Sequence, residues 1–243
     1  MRILIISDVH ANYTALMAVL ADAGQVDETW CLGDLVGYGP DPNAVVEEIR
    51  EIPNLTCIMG NHDIAVTGKM SFDTFNGDAR TSLTHHEKVL TASNMDFLRS
   101  LPTKLVMRAE ATLAHGSPRD PLWEYILNAL SARLNFDQFD TPLCFVGHSH
   151  VQCMFELNQT TDRINVSQTT PNEALKLNPK LILNPGSVGQ PRDRDPRAAY
   201  AICNFAERTW TPYRVEYNIA EVQKRIREFG LPEKHAVRIA EGW

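Results

Sequence analysis

The start of the chain alternates between two hydrophobic periods. Ile3–Ile6 is a short, unbroken apolar run closed by Ser7-Asp8, which predicts a buried strand. Asn12 then stands as an N-cap before Leu16, Val19, Leu20 and Ala23, which share one helical face, and Gly24 stops the helix. Thr29–Leu32 is a second strand pattern. Asp41-Pro42 reads as a cap with proline at the first helical position, and Val45, Val46 and Ile49 supply the apolar stripe. Leu55–Met59 is a third strand. This β-α-β-α-β order predicts right-handed crossovers and a sheet covered on both faces.

Residues 64–101 read as an irregular helical stretch that follows the third strand like a cap. Strand character returns at Leu105–Met107 and Thr112–Ala114. Leu122–Phe136 predicts one or two helices. Leu143–Val146, Val151–Leu157, Leu181–Leu183, Ala198–Phe205 and Tyr213–Tyr217 complete the strands. Residues 158–180 are polar with little periodicity and predict a long loop or irregular hairpin, an insertion. Asn218 and Glu221 form a capping pair for a helix bearing Val222, Ile226 and Phe229, closed by Gly230 and Pro232. With no repeat, low-complexity tract or linker, residues 1–243 read as a single domain.

Composition narrows the class. Apolar residues make up 44% and charged residues 22% of the chain, which excludes disorder and fibrous repeats. The 30 acidic against 23 basic residues argue against a protein that coats nucleic acid. No apolar run approaches bilayer length, and the four-residue run at Ile3–Ile6 is too short for a signal-peptide core. Cys31, Cys57, Cys144, Cys153 and Cys203 stand singly in apolar runs, which fits free thiols in a reducing cytoplasm.

The candidate chemistry lies where apolar runs end. Five runs pass into Ser7-Asp8-Val9-His10, Gly33-Asp34, Gly60-Asn61-His62-Asp63, His115-Gly116 and Gly147-His148-Ser149-His150. In α/β sheets, ligands bind beyond the carboxyl ends of strands. Those ends would gather Asp8, His10, Asp34, Asn61, His62, His115, His148 and His150 on one rim. Carboxylate, imidazole and amide donors without thiolate suit Mn²⁺, Fe, Zn²⁺ or Ni²⁺. The ligands exceed the needs of one ion and suit two.

These five motifs, in this order, resemble those of the calcineurin-like metallophosphoesterases. Asn184-Pro185-Gly186-Ser187-Val188-Gly189-Gln190-Pro191-Arg192 resembles a further motif of the family's small prokaryotic phosphodiesterase branch. The resemblance implies a four-layer α/β/β/α sandwich of two mixed sheets. It implies one divalent ion on Asp8, His10 and His150, and another on Asn61, His115 and His148. Asp34 and a water or hydroxide would bridge them, the hydroxide acting as nucleophile, and manganese is the favoured metal. His62 is the candidate general acid, with Asp63 orienting the loop or capping the next helix.

One departure shapes the substrate reading. Where the protein phosphatases and dinucleoside tetraphosphatases carry GDxxDRG or GDxxNRG, this chain has Gly37 for the second Asp or Asn and Tyr38 for the Arg. That favours a small phosphodiester, nucleotide-like or cyclic. Phosphomonoesterase, protein phosphatase, dinucleoside polyphosphate hydrolase and nuclease remain open as activities. A non-catalytic metal-binding scaffold remains open as a different class. Arg119, Arg192 and Asn12 are the candidate substrate-binding residues. Trp123, Glu124 and Tyr125 would line the pocket or else pack in the core, while His85, His86 and His235 read as surface helix residues. The sequence leaves oligomeric state open.

Overall fold

The computed structural model describes residues 1–243. In chain order the elements are β1 (Arg2–Ile6), α1 (Tyr13–Ala23), β2 (Glu28–Cys31), α2 (Pro42–Glu51), β3 (Leu55–Cys57), α3 (Asn61–Val66), α4 (Gly77–Val89), α5 (Ala92–Ser100), β4 (Lys104–Met107) and β5 (Ala111–Ala114). They continue with α6 (Ala129–Phe136), β6 (Leu143–Phe145), β7 (Gln152–Asn158), β8 (Arg163–Gln168), β9 (Leu175–Lys176), β10 (Leu181–Pro185), β11 (Ala198–Asn204), β12 (Thr209–Val215), α7 (Ile219–Glu228) and α8 (Glu233–Glu241).

Two six-stranded mixed sheets result, ordered β3-β2-β1-β11-β12-β9 and β4-β5-β6-β10-β7-β8. Their alternating side chains define the layers. Ile3 and Ile5 of β1 face Leu113, Phe145 and Leu183 of the other sheet, forming the core between sheets with Trp30 and Trp210. Leu4 and Ile6, one residue out of phase, pack instead under Leu16, Val19, Val45 and Val46 of α1 and α2. Cys144, Phe155 and Ile182 on the outer face of the second sheet meet Ala132 and Phe136 of α6. The four-layer α/β/β/α arrangement follows from that period of two.

Strands β1, β2 and β3 are mutually parallel, as are β5, β6 and β10. Each parallel set therefore sends its carboxyl ends to one edge of its sheet, where the chain enters the loops that carry the motifs.

Several expectations change. Residues 158–180 contain β8, paired antiparallel with β7, and the two-residue β9 paired with β12. An edge strand needs only one backbone partner, so β8 keeps exposed residues on both faces and shows a weak pattern. Of residues 122–136, only Ala129–Phe136 is helical, with Asn128 as its cap. Strand β3 stops at Cys57, because the Met59 N–H turns to the Pro102 carbonyl at 2.7 Å. The last strand lies at Thr209–Val215, earlier than read, set by its full pairing with β11. Asp41 stands at the N-cap of α2 with Pro42 at the first helical position, as expected, but its carboxylate takes Arg225 at 2.6 Å in place of a first-turn N–H. Helix α8, bounded by Pro232 and Gly242, was not anticipated.

Candidate metal centre

The rim residues occupy backbone that L-residues seldom adopt. Asp8 (φ 54°), His10 (47°), Asp34 (55°), His148 (62°) and His150 (58°) are all left-handed. A cluster of such residues stores strain, which is characteristic of functional sites. Each strand here ends in a tight reversal that turns a polar side chain inward over the sheet edge.

The inward groups meet. His150 Nε2 lies 3.2 Å from Asp8 Oδ1, and His10 Nε2 lies 3.7 Å from it. His115 Nε2 is 3.3 Å from Asp34 Oδ2 and 3.3 Å from His148 Nδ1. His10 Nε2 reaches Asp34 Oδ2 at 3.6 Å, so Asp34 stands between two groups of ligands. Asp8, His10 and His150 form one constellation of metal-ligating atoms, and Asp34, His115 and His148 form another. His10, Asp34 and His62 form a third that overlaps the first two.

The outer atoms of these side chains are already engaged. His10 Nδ1 faces the Val36 carbonyl at 2.9 Å, His115 Nδ1 the Leu32 carbonyl at 2.8 Å and His150 Nδ1 the Gln190 carbonyl at 2.6 Å. A carbonyl only accepts, so each Nδ1 carries a proton and each Nε2 points inward, bare in His10 and His150, while that of His115 stays protonated toward Asp34 until a cation displaces the proton. His10 Nε2 and His150 Nε2 then face each other at 3.1 Å with no proton between them. Asp8 Oδ2 accepts from the His148 N–H at 3.1 Å, and Asp34 Oδ1 from the His62 N–H at 2.9 Å. Asp8 Oδ1 and Asn61 Oδ1 are buried acceptors with no donor. Lone pairs crowded in this way call for cations, and the donor set fits a hard or borderline divalent metal.

Electrostatics agree. Burial, then His150, hold His10 well below the ordinary histidine range. Burial works against a charged His115, yet Asp34 and Asp8 raise it to about 10. Burial also opposes a charged Asp8, but His150 and His115 hold it well below the usual carboxylate range. The cluster favours anionic carboxylates together with positive charge.

The loops are pinned from behind. Asp63 accepts from the backbone N–H groups of Asp34 (2.8 Å), Leu35 (2.9 Å), Val36 (3.2 Å) and Gly60 (3.0 Å). It therefore caps α3 and also orients the Asp34 loop. A Cβ on Gly60 would collide with the Asp34 carboxylate, so this contact requires glycine.

His62 lines the same pocket, its ring 4.9 Å from that of His10. Its Nδ1 is buried without a partner and packs on Gly37 (φ 93°), where any Cβ would strike the imidazole. The second-motif glycine thus makes room for the histidine rather than contacting it through a carboxylate.

The pocket has an empty volume of about 440 Å³. Besides rim residues, its lining includes Tyr38, Phe75, Trp123, Tyr125 and Arg192. Tyr125 stacks on His148 with ring centroids 4.0 Å apart. Phe75 and its neighbours Thr74 and Asn76 come from the stretch before α4, so residues 64–101 do contribute to the site.

The candidate substrate-binding residues separate. Arg192 lines the pocket. Arg119 does not: its guanidinium is paired with Glu124, and Glu124 also takes Ser117 at 2.6 Å and Asn135 at 2.9 Å. Asn12 is buried, accepting from Ala15 N–H at 3.1 Å and donating to Gly189 O at 3.0 Å, so its side chain is occupied as a cap.

Two histidines expected on the surface are buried. His86 Nδ1 accepts the Gly37 N–H at 3.0 Å, and its Nε2 donates to the Gly39 carbonyl at 2.9 Å. Ser82, one turn earlier on α4, accepts the Tyr38 N–H at 3.0 Å. Together they pin the loop that bears Tyr38. The signal was present: Ala79, Ser82, Leu83 and His86 follow the 3.6-residue period and form the buried face of α4. His235 of α8 packs its ring 5.0 Å from that of Tyr38.

Comparisons with known proteins match this picture. The crystal structure of a metallophosphoesterase from Sphaerobacter thermophilus is 49% identical, superposes with a TM-score of 0.91, and is covered over 100% of this chain and 99% of that one. An uncharacterized protein of Methanocaldococcus jannaschii is 36% identical over 238 residues, 95% of this chain and 94% of its own. A symmetrical bis(5′-nucleosyl)-tetraphosphatase of Baumannia cicadellinicola is 28% identical over 127 residues, 49% of this chain and 42% of its own. The sequence profile of the calcineurin-like phosphoesterase superfamily domain matches residues 1–208, and the chain belongs to that superfamily of metal-dependent phosphate-ester hydrolases.

Proposed function

We propose that the protein hydrolyses phosphodiesters of small, nucleotide-like molecules, cyclic nucleotides included. Asp8, His10 and His150 would hold one divalent ion, Asn61, His115 and His148 a second, and Asp34 both, with manganese the favoured metal. Such ions supply Lewis acidity and lower the pKa of a bound water. The backbone carbonyls behind His10, His115 and His150 keep the imidazole lone pairs aimed inward. His62 is the residue to give a proton to the leaving oxygen, since it is an imidazole at the pocket wall outside the two ligand sets.

The diester reading is carried by one observation: Arg192 is the one Lys or Arg among the residues lining the pocket. A single guanidinium suits the single charge of a diester better than the two charges of a monoester near neutral pH. Phe75, Trp123 and Tyr125 offer faces on which a base can stack. Five buried, unpaired cysteines support a cytoplasmic setting. A second reading, dinucleoside polyphosphate hydrolysis, draws on the likeness to the Baumannia enzyme.

The test is hydrolysis of bis-p-nitrophenyl phosphate beside p-nitrophenyl phosphate, with Mn²⁺ and after chelation. The reading expects a chelator-sensitive preference for the diester. A preference for the monoester overturns it, and turnover of neither by metal-loaded protein revives the scaffold.

A further inference from the structure

We propose that Arg238, beside the Arg192 that faces the scissile diester, completes a second anion subsite next to the metal centre, taking a phosphate adjacent to the scissile one. The inference rests on the phosphodiester reading and narrows its substrate class to esters that carry two neighbouring phosphates.

The partners of the arginines are the starting point. Elsewhere in the molecule, partly buried guanidinium groups meet carboxylates: Arg197 meets Asp195 at 2.6 Å, Arg225 meets Asp41 at 2.6 Å, and Arg214 is paired with Asp193. Arg192 and Arg238 have no such partner. Arg192 Nη2 donates to Gln190 Oε1 at 3.1 Å and to the Tyr38 hydroxyl at 3.4 Å, and its Nε is buried with nothing to donate to. Arg238 lies over the Trp243 ring at 5.1 Å, and its Nε too is buried without an acceptor. The nearby carboxylate of Asp78 is taken by Lys234 at 3.5 Å.

Tyr38 joins the pair. The Arg192 guanidinium stands 5.7 Å from the Tyr38 ring, and the His235 ring packs 5.0 Å from the same tyrosine. Arg238 follows His235 by three residues on α8, which brings it to the same helix face. Burial, and next the field of Arg192, lower the pKa of Arg238, while Tyr38, Asp78 and Tyr125 act in the opposite sense. Two like charges therefore share a half-buried place with no carboxylate in contact with either, an arrangement that disfavours the free protein.

A phosphate relieves both charges, and guanidinium forks match phosphate oxygens. Arg192 adjoins the metal ligands and Arg238 lies beyond it, so the second phosphate would extend away from the ions. Arg238 comes from a helix outside residues 1–208, the part matched by the superfamily profile. The subsite therefore joins this chain's C-terminal helix, through Arg238, to Arg192 at the metal rim.

The probes are methylphosphonate and methylenediphosphonate, which resist hydrolysis, titrated calorimetrically into the full-length protein at constant free Mn²⁺. The diphosphonate is expected to bind at least about tenfold more tightly, equivalent to about 1.4 kcal/mol. Arg238→Gln should bring the ratio below about threefold, with Arg238→Lys in between. A wild-type ratio near one, or an unchanged ratio in Arg238→Gln, overturns the inference. Because a diphosphonate also chelates Mn²⁺, the wild-type ratio supports the subsite only together with its fall in Arg238→Gln, and Arg238→Lys supplies the second reading should the glutamine variant fail to fold. Turnover of bis-p-nitrophenyl phosphate is read separately: its failure would sink the phosphodiester reading, whereas a ratio near one with turnover intact sinks only the subsite.

Discussion

The metal centre and the layer that covers it are both built on buried histidines, and they differ in what the second ring nitrogen faces. In His10, His115 and His150, Nδ1 is bonded to a carbonyl and Nε2 confronts another ligand. In His86, both nitrogens are satisfied, by the Gly37 N–H and the Gly39 carbonyl. Burial is the same in both places. Hydrogen-bond satisfaction separates a ligand from a staple: one arrangement waits for a cation, and the other is complete.

If that distinction holds, substitutions in the two regions fail in different ways. The largest effect is expected at Asp34, shared by both ligand groups. Asp34→Ala should lower kcat by at least about 10³-fold. Added Mn²⁺ should raise the melting temperature of the wild type but not of this variant, because only bound metal stabilises the folded state. Thermal melts with and without Mn²⁺ check this, and an equal metal-induced rise in both proteins would break the assignment. Next comes His62→Asn. A general acid is worth roughly 10² to 10⁴ in rate, so kcat should fall within that range while metal content by elemental analysis stays at the wild-type level. Loss of metal would make His62 a ligand instead.

The covering layer should fail through stability. His86→Leu leaves the Gly37 N–H and the Gly39 carbonyl unpaired, at a cost of about 2 to 4 kcal/mol. Urea unfolding measures it, with metal affinity expected to hold. A change below 0.5 kcal/mol (roughly the level of a surface substitution) would return His86 to the surface.

The smallest effect is a pH slope. Burial holds His86 at about 3 and His235 at about 4. In the unfolded chain each titrates near 6.5. Between those values the unfolded state binds more protons, so folding stability falls as pH falls through about 6.5 to 4 and is flat in this respect above 7. Each histidine should contribute about 2 kcal/mol of loss between pH 7 and 5. His86→Gln should remove its share, and identical slopes in wild type and variant would contradict its burial.

The same contrast explains what could be read from the sequence. The rim was legible because its information is local: an apolar run ends, and Asp8-Val9-His10 or His148-Ser149-His150 follows at once. All seven candidate ligands lie in the one polar cluster or its pocket. The cover was less legible because its meaning lies in contacts between distant segments. His86 meets Gly37 across 49 residues, and Tyr38 meets Arg192 across 154. Adjacent to His85, His86 looks like surface until its place beside Ala79, Ser82 and Leu83 is counted. Arg119 misled for the complementary reason, since a proline-preceded arginine in a loop says nothing of the glutamate five residues on that holds it. Strand β8 was hidden because an edge strand asks little of its side chains.

The inward lone pairs should hold two ions. Anomalous diffraction at the manganese edge from Mn²⁺-soaked crystals tests it most directly. Two peaks about 3.5 to 4 Å apart are expected, one among Asp8, His10, His150 and Asp34, the other among Asn61, His115, His148 and Asp34. A single peak, or peaks away from these residues, would contradict it.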